Sequence, residues 1–490
     1  MGHIRPLAEG DGAYVLHDHL PPLAGFIILA FASVIVMLGI GFYRDHVTAN
    51  LVTLLGLAVS FLALLMVVSW IPRQVTPLII EDQYAFFYSG LILAATFLTA
   101  MLSYDYLERL PGDPEEYYLL LILAALGSVI LVASSHFASF FLGLEILSIS
   151  LYALIAYPRS GERHIEAGVK YLILAALSSA FLLFGMALVY AKTGTMEFTR
   201  LASQAANAEG PVLLAGLALI IVGVGFKLAV VPFHMWTPDV YEGAPAPVTG
   251  FIATVSKGAM FALLLRYFIG VDVVSHRSLF LAFSVIAIAS MFVGNLLALL
   301  QNNVKRILAY SSIAHLGYLL VAFLAAGSFR VTAVTYYLVA YFITTLGAFG
   351  VITVLSGSER EADDISDYQG LSTERPWIAA VFTAMLFSLA GIPLTAGFFA
   401  KYYVLLAGVG SALWLLVIIL VVNSAIGLYY YLRIIIAIYG RSGEKRRSPA
   451  GGISMMGGFV IAVLTLLLVW FGVYPAPLVE FIQKTAGLLG

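Results

Sequence analysis

The chain contains no cysteine. It can therefore supply no thiolate to an iron–sulfur cluster, no Cys-type zinc site and no disulfide. Any redox chemistry associated with it has to occur on other chains. Charge is scarce too: Asp, Glu, Lys and Arg make up 11% of the 490 residues, and the net charge of −2 by itself decides nothing about nucleic acid or acidic partners, although no nucleic-acid partner is expected. Gly-rich phosphate loops, HExxH and G-x-S-x-G motifs are absent, so nothing points to nucleotide binding or hydrolysis. The first twenty residues lack the basic start and small-residue cleavage site of a secretory signal. The first apolar span is therefore expected to be retained.

Apolar residues dominate instead. The chain is 61% hydrophobic and 13% aromatic, with a mean hydropathy of +0.99, far from a soluble domain. Crossing the hydrocarbon core takes about 20 apolar residues in a helix. Fourteen such spans are readable, near 21–42, 47–70, 83–104, 117–134, 136–157, 166–190, 211–237, 247–270, 276–300, 302–326, 330–356, 376–408, 411–438 and 452–474. A β-barrel would alternate polar and apolar residues over ten-residue strands, which these runs do not. The expected fold is an all-α polytopic membrane protein with 14 transmembrane helices, a single membrane domain over 1–490. Its longest hydrophilic connections, 191–210 and 357–375, are short for soluble domains.

Basic residues set the expected orientation. They are more numerous in the loops holding Arg44, Arg109, Arg159, Arg163, Lys305, Arg306, Arg360, Arg375 and Arg441–Arg447 than in the opposite loops and the tails. The first set is expected inside, with both termini outside, on the periplasmic side of a bacterial inner membrane.

Two spans are interrupted. One runs through Pro232 and the other through Pro393, and a proline removes a backbone donor and clashes with the preceding turn. Facing lipid, the freed carbonyls would be unsatisfied, so such breaks belong beside protein or a polar cavity. Each broken span is the fourth in its group of five. Interrupted helices at matching places point to internal repeats around a transport site. Two five-helix repeats are expected, 117–270 and 276–438. An odd number of spans per repeat makes the second inverted relative to the first.

Four charges fall deep within apolar stretches: Glu145, Lys227, Lys257 and Lys401. An ionisable group at the bilayer centre costs about 2.5–3.5 kcal/mol on the mildest scale, and it usually faces a polar interior or an ion path. Glu145 lies too far from either end of its span to snorkel. A protonated carboxyl bonded to a neighbouring helix would also account for it, and structural ion pairs would account for the lysines. A desolvated lysine is nevertheless a good reversible proton carrier, because burial moves its pKa readily. His315 adds a titratable ring at mid-span, and a neutral histidine bonded to a carbonyl would fit there as well. Lys170 sits only a turn inside its span, where snorkelling competes with a functional role. Arg266 and Arg433 read as interfacial anchors, Lys305 and Arg306 as positive-inside anchors, Tyr429–Tyr431 as an aromatic belt, and His136 as a structural residue at a tight turn.

The run from Gly223 to Val248, containing Lys227 and Pro232-Phe233-His234-Met235-Trp236-Thr237-Pro238, resembles the core signature of the antiporter-like membrane subunits of respiratory complex I. The segments Lys305–Tyr318, Ser388–Pro393 and Phe140–Ser148 agree with it. The resemblance extends from about residue 75 to 440. It implies a proton-translocating subunit of NADH:quinone oxidoreductase, with Glu145 and Lys227 as a regulating pair, Lys257 as central relay, His315 as connector and Lys401 as exit-side carrier. Lys170 is added to the candidate proton-translocating set from its position in the span alone. No cofactor is implied on this chain: NADH, flavin, iron–sulfur clusters and quinone would lie on partner subunits. The implied partners are lipid and the other membrane subunits, including the antiporter-like subunits M and L and the small membrane subunits. Alternatives left open are a subunit of a multisubunit sodium/proton antiporter and a structural coupling subunit with no proton path of its own.

Overall fold

The structure, a computed structural model, describes residues 21–158, 161–205, 210–271, 273, 276–357, 360–441 and 454–486. The N-terminal tail, Arg159 and the basic cluster Lys445–Arg447 lie outside the described residues. Two helices, α1 (Ala24–Phe42) and α2 (His46–Met66), lead to a short antiparallel hairpin, β1 (Arg73–Thr76) and β2 (Ile79–Glu81). There follow α3 (Gln83–Glu108), α4 (Glu115–Val132), α5 (Phe137–Ile155), α6 (Glu162–Thr193) and the short α7 (Phe198–Ala205). The first broken span comprises α8 (Pro211–Leu228) and α9 (Trp236–Gly243). A continuous helix then runs Ala246–Gly270, as α10 (Ala246–Phe251), a π-helical turn at Ile252–Ser256, and α11 (Lys257–Gly270). The second half holds α12 (Arg277–Leu299), α13 (Val304–Phe323), α14 (Phe329–Leu355), α15 (Leu371–Glu374), α16 (Pro376–Ala390), α17 (Ala396–Gly410) and α18 (Trp414–Tyr439). Helices α19 (Met455–Val473) and α20 (Ala476–Lys484) complete it.

Among the described residues, thirteen helices are long and apolar enough to cross a membrane. The remaining expected span, 376–408, is divided into α16 and α17, each too short to cross alone. Start signals are local and polar. Asp45 accepts from the Thr48 N–H, Asp82 from Ala85, Asn303 from Arg306 and Ser454 from Gly457. His136 caps α5 by accepting from the Ala138 N–H, in line with its structural reading.

Burial separates inner helices from outer ones. The most apolar stretch of Ala246–Gly270 is 100% buried and that of α14 is 94% buried, against 28% for the first span. Outer helices instead expose Phe31, Leu55, Leu142 and Ile418. In water these would be a liability, but beside lipid tails or other membrane helices they are matched. Inside, small residues let backbones meet. A Cβ built on Gly127 of α4 would lie 2.6 Å from the Leu147 backbone nitrogen and 2.7 Å from the Gly143 carbonyl of α5.

Candidate functional site

Both breaks form at the proline-bearing segments. Helix α8 ends at Ala229, whose φ of 61° is left-handed, and α16 ends at Gly391, with a φ of 85°. The freed backbone groups are satisfied inside the protein. The Trp236 indole donates to the Phe226 carbonyl at 2.9 Å, and the Val231 N–H donates to Ser290 Oγ at 2.9 Å. At the second break, the Ala390 carbonyl accepts from Lys401 Nζ at 2.7 Å. Two lysines therefore sit at helix C-terminal ends, where the helix dipole favours positive charge. Lys227 lies in the last turn of its own helix α8, and Lys401 reaches from α17 to the end of α16.

Lys227, Lys257 and Lys401 are all buried, as is His315. Lys227 donates to Tyr171 OH at 2.8 Å and to Ser148 Oγ at 2.9 Å. Ser148 lies one turn beyond Glu145 on α5, and Glu145 itself accepts from Ser179 Oγ of α6 at 2.6 Å. The structure thus brings the expected Glu145–Lys227 pair to neighbouring turns, with hydroxyls occupying their first contacts. From Tyr171 the site continues through rings: Tyr171 and Trp236 lie 4.9 Å apart, and Lys257 Nζ is 5.8 Å from the Trp236 ring and 5.1 Å from that of Tyr241. Such faces attract an ammonium without offering it a proton acceptor.

Lys257 follows the π-helical turn directly and donates to Ser312 Oγ of α13 at 2.8 Å. Tyr341 of α14 donates to the same oxygen at 2.8 Å. One turn on, His315 holds Tyr337 OH at Nδ1 (2.7 Å) and Tyr431 OH at Nε2 (3.2 Å), and Tyr431 also bonds Ser311. A cavity bordered by His315, Tyr337, Tyr341, Thr344 and Ser388 separates this cluster from α17. Its room for water centres is about 10 Å³, near the least that admits one water. Beyond it, Lys401 donates to Ser424 Oγ at 2.8 Å and faces the Tyr318 ring at 5.4 Å. Lys170 stands apart, half-exposed, paired with Glu166 at 2.7 Å and with Asp239 at 2.9 Å.

Three sequence readings are corrected. Arg266 is no interfacial anchor: it is buried, with two hydrogen bonds of 2.8 Å to Asp82 and the Tyr84 ring 4.9 Å away. Tyr430 and Tyr431 belong to the interior, and only Tyr429 of that triplet is exposed. Lys305 is wholly buried and pairs with Glu361 at 2.5 Å. Arg433, half-buried, donates to the Leu299 and Gln301 carbonyls at the end of α12.

Sequence reasoning gave no site role to Tyr171, Trp236, Tyr337, Tyr341 or Glu361. Their signal was weak, since hydroxylated aromatics abound in this chain and Glu361 lies in a loop rich in acids. Burial pushes the Glu361 carboxyl up, but Lys305 and the Tyr106 and Ala246 donors outweigh it, and the net direction is below the usual carboxylate range. Glu81, at the end of β2, is the reverse. Burial and the neighbouring Asp82 raise it well above that range, Arg266 counteracts only in part, and its Oε1 has no hydrogen-bond partner. Among the described residues, no group of three or more His, Cys, Asp or Glu side chains could hold a metal ion.

Comparison with known proteins gives concordant results. Residues 134–427 match the family model described as NADH:quinone oxidoreductase/Mrp antiporter, transmembrane. A protein of Nitrosospira multiformis named NADH-quinone oxidoreductase subunit N is 55% identical over 505 aligned positions, covering 99% of each chain. A protein of the same name from Ectopseudomonas mendocina is 45% identical, covering 96% of this chain and 97% of its own length. Among solved structures, a chain of respiratory complex I from Thermus thermophilus with bound aureothin superposes with a TM-score of 0.80 at 33% identity, covering 93% of this chain and 98% of that one.

Proposed function

This chain belongs to the NADH:quinone oxidoreductase/Mrp antiporter family of membrane subunits, and on that premise we propose that it carries protons across the membrane through a line of groups, the partly buried Glu145 and the buried Lys227, Lys257, His315 and Lys401. It works as a proton-translocating membrane subunit of an NADH:quinone oxidoreductase. Electron transfer from NADH through flavin and iron–sulfur clusters to quinone takes place on partner subunits. Those partners include the other membrane subunits of the complex, among them the antiporter-like M and L. The chain resides in a bacterial inner membrane, with both termini on the periplasmic side. Residues 117–270 and 276–438 act as two inverted repeats.

One observation carries the reading. Three buried lysines each sit at an irregular point of a helix, two at breaks and one after a π-helical turn, and each donates to a hydroxyl within 2.9 Å. A hydroxyl accepts a proton on a lone pair and releases its own, so such contacts let a lysine exchange a proton without water on both sides. Moving one charge through 100 mV takes about 2.3 kcal/mol. A two-unit change in one lysine's pKa supplies about 2.7 kcal/mol, so a modest change around one site covers the work per proton. Lys170, bonded to Asp239, stands at the surface end of α6 as a proton-exchanging group next to Tyr171.

The test is redox-driven proton uptake in inverted membrane vesicles carrying Lys227→Ala or Glu145→Ala. Pumped protons per NADH oxidised are expected to fall severalfold while the complex still assembles. An unchanged yield in either variant would remove that residue from the path.

A further inference from the structure

The second break in the first half, between α9 and the helix Ala246–Gly270, is closed by two side chains from elsewhere in the chain. Lys305, in the first turn of α13, donates to the Glu242 carbonyl at 3.0 Å and the Ala244 carbonyl at 2.6 Å, the end of α9. Glu361, from the loop between α14 and α15, accepts the Ala246 N–H at 2.8 Å, the first of the following helix. Its Oε1 also accepts from Tyr106 OH of α3 at 2.6 Å, and its Oε2 meets Lys305 Nζ at 2.5 Å. The loop is itself pinned to the start of α13: the Val304 N–H donates to the Asp363 carbonyl, the Ile365 N–H to the Asn302 carbonyl, and Asn303 Nδ2 to the Asp363 carboxylate at 2.9 Å.

Two helices therefore carry two rungs. Ala246–Gly270 is fastened at its start to α13 through Glu361 and Lys305. Farther along, its Lys257 donates to Ser312 of α13. Ser312 lies seven residues, two helical turns, beyond Lys305, so the two α13 groups share one face. A fixed first rung sets the axial register of the second, because α13 is a regular helix from Lys305 to Ser312 and the facing helix is continuous from Ala246 to Lys257 through its π-helical turn. Slippage at the break by one residue would move Lys257 about 1.5 Å along its axis, enough to lose a 2.8 Å hydrogen bond.

We propose that Glu361 is a positioning residue for proton transfer: with Lys305 it clamps the α9–α10 break and thereby holds Lys257 against Ser312. The clamp also ties the loop of the second half to the break of the first, so the central relay is set by both. This inference rests on the proton-carrying reading above, with Lys257 in the path.

The experiment measures pumped protons per NADH oxidised in vesicles, normalised to assembled complex, for Lys257→Met, Ser312→Ala, Glu361→Gln, Glu361→Asp and the Ser312→Ala/Glu361→Gln double variant. Glutamine keeps an acceptor for Ala246 and Tyr106 but turns an amide toward the Lys305 ammonium. Aspartate keeps the charge and loses the reach. Glu361→Gln is expected to lose at least about half as much yield as Lys257→Met, and the double variant no more than the more severe of the Ser312→Ala and Glu361→Gln singles, as coupled groups require. Additive losses in the double variant would mean that Glu361 acts elsewhere, and would overturn the proposal. So would a wild-type yield in Glu361→Gln beside a loss in Lys257→Met. If Glu361→Gln does not assemble, Glu361→Asp decides on the same criteria. Failure of both to assemble overturns the proposal in favour of a role in folding alone. A full yield in Lys257→Met would instead strike the proton-carrying reading itself.

Discussion

The environment of each ionisable side chain separates groups locked in buried ion pairs, such as Arg266 and Asp82, from lysines that meet only hydroxyls, carbonyls and rings, such as Lys227, Lys257 and Lys401. Arg266 and Asp82 form a bidentate pair with little exposure on either side, the arrangement of a fixed strut. Removing one partner of a buried pair leaves an uncompensated charge, which costs about 3–5 kcal/mol. Arg266→Met is therefore expected to lower the unfolding temperature of the purified complex clearly, and Asp82→Asn added to it should recover part of the loss. Glu81 lies beside that pair with the opposite problem. Its carboxyl is raised in the folded state, so the stability it contributes is present below the ordinary carboxylate range and is lost as pH rises through the folded-state value. Glu81→Gln should thus flatten the decline of thermal stability with rising pH, measurable as unfolding temperature at several pH values. Glu361, depressed, has the reverse sign: its contribution holds above the ordinary range and fades as pH falls through the folded-state value.

Among the elements, the informative ones are the irregular ones. Regular helices supply the walls, while the breaks after Leu228 and Ala390 and the π-helical turn before Lys257 provide free carbonyls and re-aimed side chains. The α16–α17 break is held by contact too close for any side chain. A Cβ on Gly397 would lie 1.9 Å from the Ser388 carbonyl oxygen, and the Gly397 N–H donates to Ser388 Oγ at 3.0 Å. Since the obstacle is backbone, Gly397→Ala must push α17 away from α16. That would pull Lys401 from the Ala390 carbonyl, and pumped protons per NADH are expected to fall toward the Lys401→Met level. A wild-type yield would show that the close approach does not set Lys401.

Across the whole molecule, the polar groups pass from helix to helix. They lead from Glu145 on α5 through α8, α11 and α13 to Lys401 on α17, while outer helices expose apolar side chains such as Phe31, Leu55 and Ile418. Groups arranged in series share one flux, whereas parallel routes add. Lys257→Met and Lys401→Met should each lower the proton yield, and the double variant should lose no more than the more severe single one. Summed losses in vesicle assays would mean two independent routes.

Composition and periodicity alone determined that this is a helical membrane protein, because twenty-residue apolar runs admit few other solutions in lipid. The prolines marked both broken spans, and the isolated charges marked Glu145, Lys227, Lys257 and Lys401, since each is costly wherever it lies. What surrounds those charges was not legible. Tyr171, Ser148, Ser312, Tyr337 and Tyr431 come from helices distant in sequence, and a tyrosine or serine is unremarkable in a span until its neighbour is known. For the same reason Arg266 and Lys305 read as surface anchors: charge near a span end looks alike whether it meets water or a carboxylate. Only the tertiary structure, by folding a loop with Glu361 back onto a broken helix, decided which of these charges are buried and what each one holds.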